Sequence, residues 1–166
     1  VYKRQVQEAE ELDRKNGNKF WHQAINKELK NVIVAFNLLD EGEKAPPGST
    51  KIPYHIIFDV RFDLSRKARL VAGGHKHRDV PSYETYSSVV SRDSVRIILT
   101  IAALNDLKVL AVDIGNAYLN APNKEKIHVI CGPDLFGPEA VGRIAVIVRA
   151  LYGLRSAGNA WRHHFS

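Results

Sequence analysis

Methionine is absent from the 166 residues, and cysteine occurs once, at Cys131. One thiol excludes an internal disulfide and a cysteine-rich zinc site, and it accords with an intracellular setting. No apolar run approaches the roughly 20 residues that a membrane-spanning helix needs. The opening stretch, VYKRQVQEAEELDRK, is charged throughout and so is no secretory signal. With no initiating methionine, the simplest expectation is a piece of a longer protein. What is present suits one modest domain with a real core: 45% of residues are hydrophobic and the mean hydropathy is −0.24. The net charge of +6 suits a polyanionic partner such as nucleic acid, although many basic proteins bind none.

Along the chain, residues 3–15 read as a polar connecting helix or linker stopped by Asn16-Gly17-Asn18. A second helix from about Lys19 to Lys30 places Trp21, Ala24, Ile25, Glu28 and Leu29 on one face. Strands are expected over 32–39, 54–63 and 66–72, the last two as a hairpin. The stretch SRDSVRIILTIAALNDL reads as a helix capped by Ser91 or Asp93, apolar round most of its circumference and therefore buried. A strand ending at Asp113, a short turn or helix over 116–121, strands at 127–131 and 143–148, and a last helix from Ser156 complete the pattern. Helices and strands mix without strict alternation, which points to an α+β fold.

The segment VLAVDIGNAYLNA, residues 109–121, poses the chemical question. In a strand, Leu110, Val112 and Ile114 point one way and Val109, Ala111 and Asp113 the other. A carboxylate beside an apolar core needs a pair, a hydrogen bond or a cation. Asp113 is then either a strand-end cap or a metal ligand at the mouth of a sheet. Flanked by the strand at 143–148, it is expected to face an open cleft. Asp-Ile-Gly also opens the phosphate loop of the actin-like ATPase fold, but there it begins the domain and runs into a hairpin. On the strand at 66–72, Lys67 and Arg69 share a face with Val71 and could grip a phosphate, or simply guard a solvated edge. His75 and His77 share one side of an extended segment, yet no third or fourth ligand lies at a zinc-like spacing. ALYGLRSAGNAW (150–161) joins a strand to a helix through glycine, either as a packing turn or as a surface that lets backbone approach a flat ligand.

Six segments in order complete this reading: FWHQAINKELKNV with its Trp-x-x-Ala-x-x-x-Glu pattern, KIPYHIIFDVRFD, RKARLVAGGH, TYSSVVSRDSVRIILTIAAL, VLAVDIGNAYLNAPNKEKIHV and IVRALYGLRSAGNAW. From Phe20 onward the chain resembles the reverse transcriptase of copia-type LTR retrotransposons. The resemblance implies a right-hand polymerase fold, incomplete here, with residues 1–18 as a connecting helix, 19–107 as fingers and 108–166 as the first part of the palm. It implies that the Asp113 carboxylate and the Ile114 carbonyl hold two Mg²⁺ ions, and that Tyr118 lies beneath the deoxyribose. Lys67 and Arg69 fall in the finger strand that meets the triphosphate, while Tyr152 and Gly153 match the junction against the incoming base and template. RNA template, DNA primer, dNTP and the downstream palm, thumb and RNase H regions are the implied partners, cytoplasmic retroelement particles the implied location, and no membrane is involved.

The family usually has a basic residue where Gly73 stands and proline where Gly158 stands. The second acidic motif, Tyr-x-Asp-Asp, does not occur, and Asp93, Asp106 and Asp134 lie in other contexts. One carboxylate cannot assemble a two-metal site, so the expectation is nucleotidyl transfer in the complete polyprotein and inactivity of this piece alone. The alternatives are a non-catalytic nucleic-acid-binding remnant and a degenerate retroelement fragment without function.

Overall fold

A computed structural model of the chain describes residues 2–77 and 85–166. Residues 78–84, the middle of the loop expected between the second hairpin strand and the capped helix, lie outside the described residues, as does Val1.

Helix α1 (Tyr2–Asn16) ends where Gly17 adopts a φ of +65° and Asn18 returns its amide to the Asp13 carbonyl. Helix α2 (Phe20–Val32) follows after three residues, and its first residue is preceded by Lys19, which supplies no side-chain cap. Asp13 of α1 does so instead. Its two carboxylate oxygens accept from the amides of Trp21 at 3.1 Å and His22 at 2.9 Å. Two orphan donors at a helix N-terminus are thereby satisfied by a negative charge, which explains how Asp13 tolerates burial. Val6 of α1 and Ile25 of α2 pack with Ile56 and Ala68 in a small core, so α1 is a packed helix.

The hairpin forms as expected, from β3 (Tyr54–Val60) and β4 (Arg66–Ala72), in register from Tyr54↔Ala72 to Val60↔Arg66. Its turn is fastened by Asp63, whose carboxylate accepts from the amide and hydroxyl of Ser65. On β4 the alternation is clean: Ala68, Leu70 and Ala72 are buried while Lys67, Arg69 and Val71 are half-buried on the other face. Ala68 belongs to the small core, whereas Leu70 and Ala72 belong to a larger one. One strand thus spans both.

The larger core lies on a four-stranded sheet ordered β1-β6-β5-β2, from β1 (Phe36–Leu38), β2 (Thr50–Lys51), β5 (Ile127–Ile130) and β6 (Ile144–Ile147). Only β2 runs parallel to its neighbour; the other pairs are antiparallel. The strand expected over 32–39 is shorter, because Ile33–Ala35 continue α2 as a tight helical turn. Helix α4 (Ala117–Asn120) and helix α5 (Ala157–Phe165) close the core through Leu119 and Ala157, with Leu154 from the turn before α5. The fold is mixed α and β.

Two expectations are overturned. Helix α3 (Arg92–Leu104) has its Ser91 cap, with the Ser94 amide donating to Ser91 Oγ at 3.0 Å, but it is not buried. Ile97, Ile98, Ile101 and Leu104 are exposed, and Ala102 is its one buried residue. A helix apolar on most sides needs neighbours on several, and the described residues do not supply them. The segment ending at Asp113 forms no strand either. Both edges of β6 are occupied, by β1 and β5, so none is left to flank residues 109–113. Leu110 and Val112 stand 85% and 82% exposed.

The cap donated across the α1–α2 turn gives a first prediction. Asp13→Ala should lower the unfolding free energy by about 1–2 kcal/mol, as for other lost N-caps. Urea denaturation followed by circular dichroism measures this; an unchanged midpoint would show that the carboxylate caps nothing.

Candidate functional site

The outward face of β4 places Lys67 and Arg69 side by side, two residues apart on a strand anchored in both cores. Partial burial holds the Lys67 ammonium below its ordinary pKa, and the guanidinium groups of Arg69 and Arg61 add to this, while Glu28 and Asp59 oppose it. Cations crowded in this way repel one another, and a polyanion relieves the repulsion. Beside them opens a cavity of about 460 Å³, lined among others by Lys27, Glu28, Arg61, Arg66, Lys67 and Asn116. The Glu28 carboxylate at its wall accepts from the Leu70 amide at 2.9 Å.

Arg69 leads into an aromatic pair. Its guanidinium carbon lies 5.3 Å from the centre of the Tyr152 ring, a cation–π contact. The Tyr152 and Tyr118 ring centres are 5.0 Å apart, with planes tilted by 55°. Tyr118 comes from α4, which begins after Asn116, a residue at φ +52° where asparagine is tolerated. Tyr152 comes from the turn between β6 and α5. That turn lies across the end of β4, the Ala72 amide donating to the Tyr152 carbonyl at 2.7 Å. Gly153 is required there: at φ +91°, a Cβ would stand 2.1 Å from the Ala72 carbonyl oxygen and 2.6 Å from Val71 Cγ1. Gly73 also fits only without a side chain, since a Cβ would meet Pro53 Cγ at 2.7 Å. This gives the departure from the family's basic residue a local steric basis.

A second fastening holds the same crossing. His77, just beyond β4, lies 2.6 Å through Nδ1 from one oxygen of Glu125, and the Ser156 hydroxyl donates to the other. Ser156 precedes α5 but leaves its own helix uncapped, committing its hydroxyl to Glu125. The Glu125 side chain is only 4% exposed, and two donors at its oxygens make that burial tolerable. Sequence reasoning missed Glu125 and Ser156, and weighed His77 only as a zinc ligand. The three lie 48 and 31 residues apart, beyond any periodic signal. Glu28 carried a signal, its place on the apolar face of α2, where a carboxylate needs a partner.

The structure therefore brings Arg69, Tyr118, Tyr152 and Gly153 together at one crossing, with Lys67 two residues before Arg69 on the same face of β4. It does not pack Asp113 or Ile114 against them. Both are exposed in an irregular run, although Asn116, three residues beyond Asp113, lines the cavity that holds Lys67.

Residues 33–166 match the family model described as reverse transcriptase (RNA-dependent DNA polymerase). The chain belongs to the reverse transcriptase family. Among similar curated proteins from Arabidopsis thaliana, the retrovirus-related Pol polyprotein from transposon RE2 is 30% identical over 147 residues, and that from transposon RE1 is 29% identical over 147. Each alignment covers 85% of this chain, and the chain spans about a tenth of each relative's length, 10% in both cases. No solved structure matches. The family match holds β4, the run through Asp113 and the turn at Tyr152, whereas α2 with its Trp-x-x-Ala-x-x-x-Glu pattern precedes it. No helix among the described residues of this reverse transcriptase family member is long and apolar enough to cross a membrane.

The crossing gives a second prediction. Gly153→Ala should cost about 2–4 kcal/mol of stability, combining left-handed strain with overlap against backbone. Urea denaturation tests it, and a cost below the strain alone would mean that the turn moves freely away from β4.

Proposed function

We propose that this chain supplies the nucleotide-gripping part of an RNA-directed DNA polymerase encoded within a retrotransposon Pol polyprotein. In this reading the fold is the right-hand polymerase fold in part, with residues 1–18 connecting, 19–107 forming fingers and 108–166 opening the palm. The observation that carries it is the Arg69–Tyr152–Tyr118 contact series. It joins a basic strand, a glycine turn and a short helix that are far apart in sequence, and so offers together the three different chemistries that a nucleotide's phosphates, base and sugar would need.

The roles follow from the groups. Lys67 and Arg69 take the negative charge of the dNTP triphosphate, Arg69 with a fork that matches phosphate oxygens. Tyr152 and Gly153 offer a ring face and bare backbone to the incoming base and to the RNA template. Tyr118, in ring contact with Tyr152, would support the deoxyribose and exclude a 2′-hydroxyl. The DNA primer would approach from the side of Asp113.

Two Mg²⁺ ions would supply charge neutralisation and activation of the primer 3′-hydroxyl. The described residues hold no group of three or more His, Cys, Asp or Glu suited to a metal, so this set does not by itself fit a pair of ions. The contribution assigned to this chain is the Asp113 carboxylate, which lies exposed in water, and the Ile114 carbonyl. The remaining ligands would belong to other parts of the polyprotein.

Two substitutions in the complete Pol polyprotein test the reading. Asp113→Asn keeps shape and removes charge, so nucleotide incorporation with Mg²⁺ should fall by several orders of magnitude. Tyr118→Ala should leave weakened polymerisation but lose discrimination against ribonucleotides. Primer extension with dNTPs and rNTPs distinguishes the two, and normal incorporation by Asp113→Asn would reduce Asp113 to a surface residue.

A further inference from the structure

Glu28 stands between two neighbourhoods. Through the 2.9 Å hydrogen bond from the Leu70 amide it ties the middle of β4 to α2, using an amide that β3 leaves free. Leu70 adjoins Arg69 and lies three residues from Lys67, so this bond acts on the part of the strand that carries both cations. The same carboxylate lines the basic cavity with Lys27, Arg61, Arg66 and Lys67. Burial pushes its carboxyl upward, while the Leu70 amide and then the charges of Arg69 and Lys67 favour the ionised form. Asp63, in the hairpin turn and bonded to Ser65, is the cavity's other acidic lining residue; Glu28, on the wall beside Lys67, opposes a polyanion that enters against the four cations.

We propose that Glu28 is a positioning residue that also sets the strength of polyphosphate binding in this cavity. The proposal rests on the reading that Lys67 and Arg69 meet the triphosphate. The hydrogen bond to Leu70 fixes the cations on a strand that cannot slide along α2. The charge moderates their grip, and it does so for substrate and for released pyrophosphate alike. Without the hydrogen bond β4 loses its tie to α2 beside the cations; without the charge they hold polyphosphate more tightly. The two effects have opposite signs, which makes them separable.

The test is calorimetric titration of the full 166-residue chain with inorganic tripolyphosphate at neutral pH. Glu28→Gln keeps an oxygen for the Leu70 amide and removes the charge. Its affinity should rise roughly three- to tenfold over wild type, the gain shrinking as salt increases. Glu28→Ala removes both and should bind more weakly than Glu28→Gln. A general loss of structure would not raise affinity in one variant alone. Wild-type affinity in Glu28→Gln overturns the charge role, and Glu28→Ala binding as tightly as Glu28→Gln overturns the positioning role. If circular dichroism shows that Glu28→Ala does not fold, the Glu28→Gln result decides. A double variant, Lys67→Ala with Arg69→Ala, separates the underlying reading. Tripolyphosphate binding that is absent in wild type, or undiminished in the double variant, refutes the cavity's assignment and the proposal with it.

Discussion

The Ala72 amide donates to the Tyr152 carbonyl at 2.7 Å, where the end of β4 passes under the turn that follows β6. So close an approach of two backbones needs glycine on both sides, at Gly153 and at Gly74, whose added Cβ would stand 2.4 Å from the Gly153 carbonyl oxygen. The rest of the site hangs on that crossing. It sets Arg69 over the Tyr152 ring, and Tyr152 against Tyr118. The buried Glu125 then holds the segments leaving it, taking His77 from beyond β4 and Ser156 from the start of α5. Constraints of this kind keep a binding group within the narrow tolerances that recognition of a phosphate or a flat base demands.

Strand β4 shows why a short amphipathic pattern could be read directly. Its alternation is strict, and burying Ala68, Leu70 and Ala72 forces Lys67 and Arg69 onto the opposite face. A one-residue slip would bury two charges, so the register is strongly specified. The Ser91 cap of α3 was legible for a similarly local reason, since a serine oxygen three residues ahead of an amide is a property of adjacent sequence. Asp13 was not legible. It caps a helix other than its own, a relation that exists only once α1 and α2 have folded back on one another. Glu125 with His77 and Ser156 failed to show for the same reason at longer range.

The misplaced elements fail differently. Residues 109–113 have the composition and alternation of a strand, but β6, the partner expected for them, has both edges taken by β1 and β5. Apolar pattern reports what a segment would bury, not whether a neighbour is present to bury it. Helix α3 is the same case in helical form, with isoleucines on several sides and one buried residue, Ala102. In both, the sequence describes a packed environment that the described residues do not complete.

The two halves of the site consequently differ in how they are held. Lys67 and Arg69 are set by backbone hydrogen bonds to β3, by the Leu70 amide on Glu28 and by side chains buried in two cores. Asp113 has none of these, and its neighbours Leu110 and Val112 remain in water. Full burial of each such side chain is worth about 1.5–3 kcal/mol, so a surface able to cover them would supply ample free energy to order the run. Covering Leu110, Val112 and Ile114 on one face would by alternation turn Asp113 to the other. In such a strand the direction of the carboxylate would be decided by apolar side chains that do no chemistry, whereas Lys67 and Arg69 already share one face of β4. In the proposed reading, binding of a polyphosphate and placement of an acidic group opposite it would be separable events, the first resting on contacts within this chain and the second on the burial of its exposed apolar run.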